Sequence, residues 1–298
     1  MELKKLLMIV NPAAGRRKSR EPLYYAATIL SEAGYALHIR NTSGPGNARE
    51  LAAEKGEHFD LVVAVGGDGT LNETVAGLMT LPREQRPLLG YMPQGSTNDF
   101  ASSLHIPKHP ITAAVSMTRT FRPRMLDIGR WNDRHFIYVA SFGAFTRSSY
   151  KAPQSAKNAL GHFAYILEGM KDLNTLRPYR VKITADGEVL DGEYLFGAVC
   201  NSTSIGGLMK LDPQRVVLDD GKFELLLIPN PKTSTDLQNL VSALLHQHYD
   251  RQGLVFRHVS SIHLETAMDL PWSLDGEFAP SMPVVDIVNC HQALEVLL

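Results

Sequence analysis

Leu61-Val62-Val63-Ala64-Val65-Gly66-Gly67-Asp68-Gly69-Thr70 decides how this chain folds. The unbroken apolar run reads as a strand buried on both faces, as parallel sheets require. Gly66, Gly67 and Gly69 let the backbone turn sharply and admit a ligand close to it. Leu71-Asn72-Glu73-Thr74-Val75-Ala76-Gly77-Leu78-Met79 then carries apolar residues at helical spacing, with Thr70 placed to cap the first turn. Strand, glycine turn and helix N-terminus make an anion site whose backbone amides face a phosphate. Asp68 repels a bare phosphate and so calls for a magnesium ion or a hydroxyl donor between the two. A glycine turn after a strand is also common as plain structure, so the stretch must be weighed with its companions.

Outward from this point the first 126 residues alternate strand and helix. Strands are expected at Leu6–Val10, Tyr35–Arg40, Leu61–Val65 and Leu88–Met92, and helices at Pro22–Ala33, Ala48–Lys55, from Leu71, around Phe100–Leu104 and at Ile111–Arg119. The rhythm implies a mostly parallel, Rossmann-like α/β sheet with helices on both faces. Ligands of such sheets sit beyond the carboxyl ends of the strands. Asn11–Gly15, Gly66–Thr70 and Pro93–Asp99 all follow such ends and should open on one crevice.

After Leu126 the pattern turns antiparallel and β-rich. Strands are expected at Phe136–Ser141, Tyr179–Ala185, Val189–Asn201, Lys222–Ile228, Val255–Glu265 and Val284–Val288, with helices at Ala159–Leu176 and Ser234–His248. Asp186-Gly187 and Asp275-Gly276 are hairpin turns by their residue types, and Asp191-Gly192 reads as another turn. The domains expected are an α/β domain over 1–126, which residues 289–298 can rejoin, and a β-sandwich domain over 127–288.

A length of 298 residues suits two domains. A net charge of −1 argues against a nucleic-acid binder that works by bulk electrostatics. Two cysteines, Cys200 and Cys290, cannot build a disulfide framework, which points to a reducing cytoplasm. The apolar part of the amino terminus is too short for a signal sequence, and no segment approaches the ~20 apolar residues needed to span a bilayer.

Three loops carry the candidate chemistry. Asn11-Pro12-Ala13-Ala14-Gly15 offers a fixed turn, small residues and a side-chain amide for a ribose or phosphate. Gln94-Gly95-Ser96-Thr97-Asn98-Asp99 offers hydroxyl, amide and carboxylate groups in succession, although Asn98 or Asp99 can equally serve as a plain helix cap. The third loop is Gly66–Asn72.

With these residues in this order the chain resembles the diacylglycerol kinase catalytic-domain superfamily, specifically the soluble bacterial lipid kinases. Leu126-Asp127-Ile128-Gly129, Asn201 with Gly206-Gly207, Leu218-Asp219-Asp220-Gly221 and Leu274-Asp275-Gly276-Glu277 extend the resemblance over nearly the whole chain. NAD kinases and phosphofructokinases share the Gly-Gly-Asp-Gly-Thr turn and a related topology, but Asn11-Pro12-x-x-Gly15 and Asn98-Asp99-Phe100 fit the lipid kinases better. Ser96 stands where the family usually has threonine and keeps the hydroxyl.

The resemblance implies an ATP- and magnesium-dependent kinase that phosphorylates a lipid hydroxyl, most readily that of diacylglycerol, with the nucleotide in a cleft between the two domains. It assigns the nucleotide to Asn11, Pro12, Ala13, Ala14, Gly15, Thr42, Gly66, Gly67, Asp68, Gly69, Thr70, Leu71, Asn72, Ser96, Asn98 and Asp99. Asp275 becomes the acceptor of the hydroxyl proton, with Glu277 beside it, where residue types alone give a hairpin turn. Asp68 and Asp127 face the metal region through water. A structural magnesium would use Asp220 and the carbonyls of Val217 and Lys222. The partners expected are ATP and a lipid reached by peripheral contact of a cytoplasmic protein with the membrane; a homodimer is admitted. Arg16, Arg17, Lys18 and Arg20 are a solvated helix start, a phosphate contact or an attraction to anionic headgroups. Another lipid acceptor such as sphingosine, an NAD-kinase-like activity and a non-catalytic nucleotide-binding regulator are the competing readings.

Overall fold

The computed structural model describes residues 3–14, 21–95, 98–119, 123–143, 177–205, 209–211, 215–245 and 253–298. They fall into two compact units, Met1–Ile128 with His291–Leu298, and Gly129–Cys290.

The first unit is an α/β layer. Its strands β1 (Lys4–Val10), β2 (Tyr35–Asn41), β3 (Leu61–Gly66) and β4 (Leu88–Pro93) pair in parallel in the order β2-β1-β3-β4. Every residue of β3 is buried, as the apolar run requires. On one face Leu6, Met8, Leu61 and Val63 pack with Ala26 and Leu30 of α1 (Glu21–Glu32) and Ala113, Ala114 and Met117 of α5 (Pro110–Arg119). Helices α2 (Asn47–Lys55) and α3 (Asp68–Leu78) pack on each other where Gly77 removes a side chain: a Cβ there would stand 2.3 Å from the Arg49 carbonyl oxygen. Leu71, Val75 and Leu78 bury the inner side of α3, at about 1.5–3 kcal/mol for each. The short α4 (Asp99–Ser103) follows β4.

Helix α3 starts earlier than the sequence suggests. Gly67 is its N-cap in extended conformation, with no side-chain cap bond, and Asp68 already lies in the first turn. Thr70 is therefore inside the helix, where its hydroxyl serves another purpose, and is not the cap. The last residues of the chain join this unit, with Val296 beside Leu89 and the Leu297 N–H donating to the Leu89 carbonyl. Arg83 and Arg86 hold the returning segment through the carbonyls of Gln292 and Ala293, at 2.8 Å each.

The second unit is antiparallel and of the sandwich type. The long strand β9 (Glu188–Cys200) pairs first with β8 (Tyr179–Ala185), then with β7 (Val139–Gly143) and β12 (Phe223–Pro229). Strand β13 (Val255–Val259) extends β12, and β14 (Ser261–Glu265) extends β8 towards the first part of β17 (Val284–Val296). The hairpin β15 (Trp272–Leu274) and β16 (Glu277–Ala279) adds to β7. Phe136, Phe142, Phe223, Trp131 and Trp272 fill the core between them. Short pieces β10 (Ser204–Ile205) and β11 (Met209–Lys210) form a separate pair, and α6 (Ser234–Leu245) is the one helix among the described residues of this unit. Strand β5 (Arg124–Trp131) enters it and pairs with β6 (Arg134–Phe136).

Three sequence expectations need correction here. The single strand Phe136–Ser141 is two, broken at Ile137-Tyr138, whose N–H groups turn to the Asp275 carboxylate. Val255–Glu265 is likewise two strands, broken at Ser260, whose N–H goes to Asp186. Asp191-Gly192 is no turn; both residues lie mid-strand opposite Lys182 and Val181, and the Tyr194 ring covers the space that a Gly192 side chain would fill. The helix expected at Ala159–Leu176 lies outside the described residues.

Candidate functional site

The carboxyl edge of the parallel sheet brings four loops side by side through three main-chain bonds. The Thr42 N–H donates to the Val10 carbonyl at 2.8 Å, Asn11 to Val65 at 2.8 Å, and Gln94 to Gly66 at 2.7 Å. Each loop is thus tied to its neighbour at the residue where its strand ends.

Glycines set the spacing. A Cβ on Gly66 would meet the Thr70 hydroxyl oxygen at 2.4 Å, and a Cβ on Gly95 would meet the Gly67 Cα at 2.8 Å. The Thr70 hydroxyl accepts a bond from Asn11 Nδ2 at 3.0 Å, while Asn11 Oδ1 accepts the Ala13 N–H at 3.0 Å and so shapes the turn through Pro12, Ala13 and Ala14. Pro12 and Ala13 are exposed, as residues offered to a ligand must be. Asn98 closes the other loop: its Oδ1 accepts the Gly95 N–H and its Nδ2 donates to the Gly95 carbonyl, both at 2.9 Å, with Asn98 itself at φ 53°. Asn98 is the N-cap of α4 by position and makes no side-chain cap bond, so the capping role open to it in the sequence is not the one it plays.

Asp68 is a buried carboxylate at this edge. Its Oδ2 accepts the Asp99 N–H at 3.4 Å, and Oδ1 is buried with no hydrogen-bond partner among the described residues. Burial pushes its carboxyl above the usual carboxylate range, against the pull of the main-chain N–H groups of Asp99, Asn98 and Phe100. Asp99 is 7% exposed beside it. Tyr91, which the sequence reading passed over as a strand residue, donates its hydroxyl to the Gly66 carbonyl at 3.2 Å and is kept protonated by burial and by Asp68 and Asp99. A buried carboxylate oxygen left over where a glycine turn enters a helix fits a hard cation such as magnesium. Gly69 and Asn72 sit on the first turns of α3, and Leu71 is core.

Asp127 is fully buried on β5. Its Oδ1 accepts the Gln292 N–H at 2.7 Å and pairs with His291 Nδ1 at 3.1 Å, which fastens the returning carboxyl terminus. Gly15, Ser96 and the basic run Arg16–Arg20 lie outside the described residues.

In the second unit Asp275 occupies the first position of a hairpin turn, at φ 49° followed by Gly276 at 86°, the pattern of a type I′ turn. It is 4% exposed, and its carboxylate accepts N–H bonds from Ile137 (2.7 Å), Tyr138 (3.0 Å) and Val139 (3.0 Å). Glu277 is exposed two residues on. Asp186 does the same at its own turn, with φ 44° and N–H bonds from Ser260 and Ser261 at 2.7 and 2.8 Å. Val217 and Asp220 are exposed, and Asp220 Oδ1 accepts the Lys222 N–H at 2.9 Å. One carboxylate and two carbonyls are oxygen donors of the kind magnesium takes. Among the described residues no cluster of three or more His, Cys, Asp or Glu side chains gathers for a metal.

Residues 5–131 match the family model of the diacylglycerol kinase catalytic domain, and 139–298 that of the YegS C-terminal NAD kinase beta sandwich-like domain. A diacylglycerol kinase of Bacillus subtilis (strain 168) is 34% identical over 297 residues, 99% of this chain and 97% of that one. One of Staphylococcus aureus (strain MRSA252) is 32% identical, covering 98% of this chain and 92% of its own. A solved diacylglycerol kinase structure from Bacillus anthracis str. Sterne superposes with a TM-score of 0.78 at 27% identity, covering 100% of this chain and 98% of that one.

Proposed function

Because the chain belongs to the diacylglycerol kinase catalytic-domain family, we propose that it transfers the γ-phosphate of ATP to the hydroxyl of diacylglycerol, giving phosphatidic acid and ADP. The observation that carries this reading is Asp68, a buried carboxylate with one oxygen lacking a partner among the described residues, in the first turn of a helix that starts from a glycine turn.

The nucleotide lies along the carboxyl edge of the parallel sheet. Amides at the start of α3 take phosphate oxygens, and Asn11, Thr42 and Ser96 add amide and hydroxyl contacts. Magnesium, when bound, neutralises charge on the phosphates; Asp68, with Asp99 beside it, holds it here, and Asp127 supports that region. Asp275 accepts the proton of the lipid hydroxyl, with Glu277 in the same turn. A second cation at Val217, Asp220 and Lys222 steadies the sandwich unit. The lipid is met at the membrane surface by peripheral contact; among the described residues no helix is long and apolar enough to cross a bilayer.

One observation favours a second reading of the acceptor. The sandwich unit matches a model described as the YegS C-terminal NAD kinase beta sandwich-like domain, and the acceptor side chains belong to that half in this reading. Sphingosine or another lipid alcohol is then the alternative. Labelled ATP offered against diacylglycerol, sphingosine, ceramide, phosphatidylglycerol and NAD in mixed micelles decides: label in phosphatidic acid supports the first reading, and label in NADP or in none of the lipids overturns it.

A further inference from the structure

Glu73 lies in the middle of α3, where a helical wheel gives it to solvent, and it is engaged instead. Its Oε1 accepts the Gly46 N–H at 2.7 Å and its Oε2 accepts the Ala48 N–H at 3.2 Å. Gly46 is the N-cap of α2, at φ 84°, and has no side chain with which to cap the helix. A carboxylate from another helix does that work, placed at the positive end of the α2 dipole.

The same face of α3 carries Gly77, one turn on from Glu73, where the α2 backbone comes closest. Glu73 therefore pins the start of α2 where Gly77 lets its body approach. The chain between β2 and that pinned start is Thr42-Ser43-Gly44-Pro45. At its other end the Thr42 N–H is fixed to the Val10 carbonyl. Asn47 Oδ1 braces it from within through the Ser43 N–H at 3.1 Å. The loop is thus held at both ends, at one by the sheet and at the other by α3.

From this juxtaposition we infer that Glu73 is a positioning residue for the nucleotide. One rigid helix presents the phosphate-facing turn at Gly67–Thr70 and, through Glu73, holds the Thr42 loop at a set distance from it. The inference rests on the reading that Thr42 and the α3 N-terminus share the nucleotide. Glu73 contacts no substrate in it; it acts through the loop. A charge-assisted pair of hydrogen bonds suits this task, since it orders a glycine- and proline-rich loop before the ligand arrives.

The test uses the full chain with Glu73→Ala, Glu73→Gln and Thr42→Ala. Amide hydrogen exchange without nucleotide is expected to rise across residues 42–48 in Glu73→Ala. Its KM for ATP and its dissociation constant by calorimetry should rise about tenfold, the scale of one charge-assisted bond, with kcat within about twofold. Glu73→Gln keeps an acceptor of the same shape and should recover part of the loss. Added to Thr42→Ala, the Glu73→Ala change should cost little more, because the loop contact is already gone. Faster exchange with unchanged ATP affinity overturns the inference and leaves Glu73 a helix cap. Unchanged exchange overturns it as well. Failure of the unaltered protein to bind ATP at all is a separate result, and overturns the nucleotide reading together with what rests on it.

Discussion

Gly67 and Gly95 meet backbone to backbone: a Cβ on Gly95 would stand 2.8 Å from the Gly67 Cα and 2.8 Å from Asn98 Oδ1, whereas a Cβ on Gly67 would stand 3.3 Å from the Gly95 Cα. The contact joins the turn after β3 to the loop after β4, and the asymmetry makes a ranking. Gly95→Ala must displace backbone or the Asn98 side chain that closes its loop, and should cost about 1–3 kcal/mol of stability together with most of the ATP affinity. Gly67→Ala needs a shift of only a few tenths of an ångström and should be milder in both. Urea unfolding and nucleotide titration of the pair check the order; equal effects would show that the approach of the two loops does not limit the site.

Asp275 holds a broken strand together, and this changes what its substitution does. Asp275→Asn replaces one acceptor oxygen with a donor that faces the N–H groups of Ile137, Tyr138 and Val139. A buried loss of this kind costs about 1–3 kcal/mol. Asp186→Asn breaks the same arrangement at an exposed turn and should cost less. Denaturant midpoints measure both. If Asp275 is also the proton acceptor, the rate of Asp275→Asn at a temperature where it stays folded falls a further ~10²–10⁴-fold, and Asp186→Asn leaves the rate alone. Equal turnover per folded molecule in the two variants would remove the catalytic role.

These two aspartates also show where the sequence stops being legible. The α/β half could be read because its strands are apolar runs and its turns are glycines, both local signals. Phe136–Ser141 and Val255–Glu265 each look like one strand because nothing nearby announces the break. The donors at Ile137 and Ser260 leave the ladder for carboxylates far along the chain, at Asp275 and Asp186. Gly192 looked like a turn because its neighbour Tyr194, which covers it in the strand, is not a local turn signal. In the site, the order Gly66–Asn72 and Asn98-Asp99 was plain, but Glu73 gave no sign of its bonds to Gly46 and Ala48. Nor did Asp127 declare His291 and Gln292 as partners. Each missed partner lies far along the chain, and all but His291, a side-chain partner, are backbone N–H groups, which no periodicity encodes.

Glu224 gives a pH dependence. It is 1% exposed on β12, between Cys200 on β9 and His258 on β13, with Oε1 3.9 Å from His258 Nε2 and Oε2 lacking a partner among the described residues. Burial, aided by the negative charge of Asp220, pushes its carboxyl up to about 9. The folded state therefore binds the proton more tightly than the unfolded chain, whose carboxyl titrates near ~4.3. Stability from this group is complete below that value and is lost as pH rises through the window up to about 9. Glu224→Gln removes the charge and keeps the shape. Melting curves with a chelator present, which takes any cation at the Asp220 turn out of the comparison, should coincide with the unaltered protein near pH 5 and lie above it at pH 8.5. A wild-type melting temperature level across that range would mean that the Glu224 carboxylate is solvated.

Asp68 should trade stability against activity. Without a cation its buried Oδ1 has no partner among the described residues, and burial already disfavours its charge. Asn in its place keeps an acceptor for the Asp99 N–H and carries no charge into the interior. Asp68→Asn is therefore expected to melt higher than the unaltered protein in a chelator, by the equivalent of about 1 kcal/mol. The same change should remove most of the magnesium-dependent activity, because the carboxylate proposed to hold the cation is gone. Magnesium should then stabilise the unaltered protein more than the variant when both are melted with ATP present, since a ligand raises stability only through the state it binds. A variant that melts lower in chelator would show that the Asp68 charge is already compensated within the fold, and would leave the turn at Gly66–Thr70 without its reason to hold a cation.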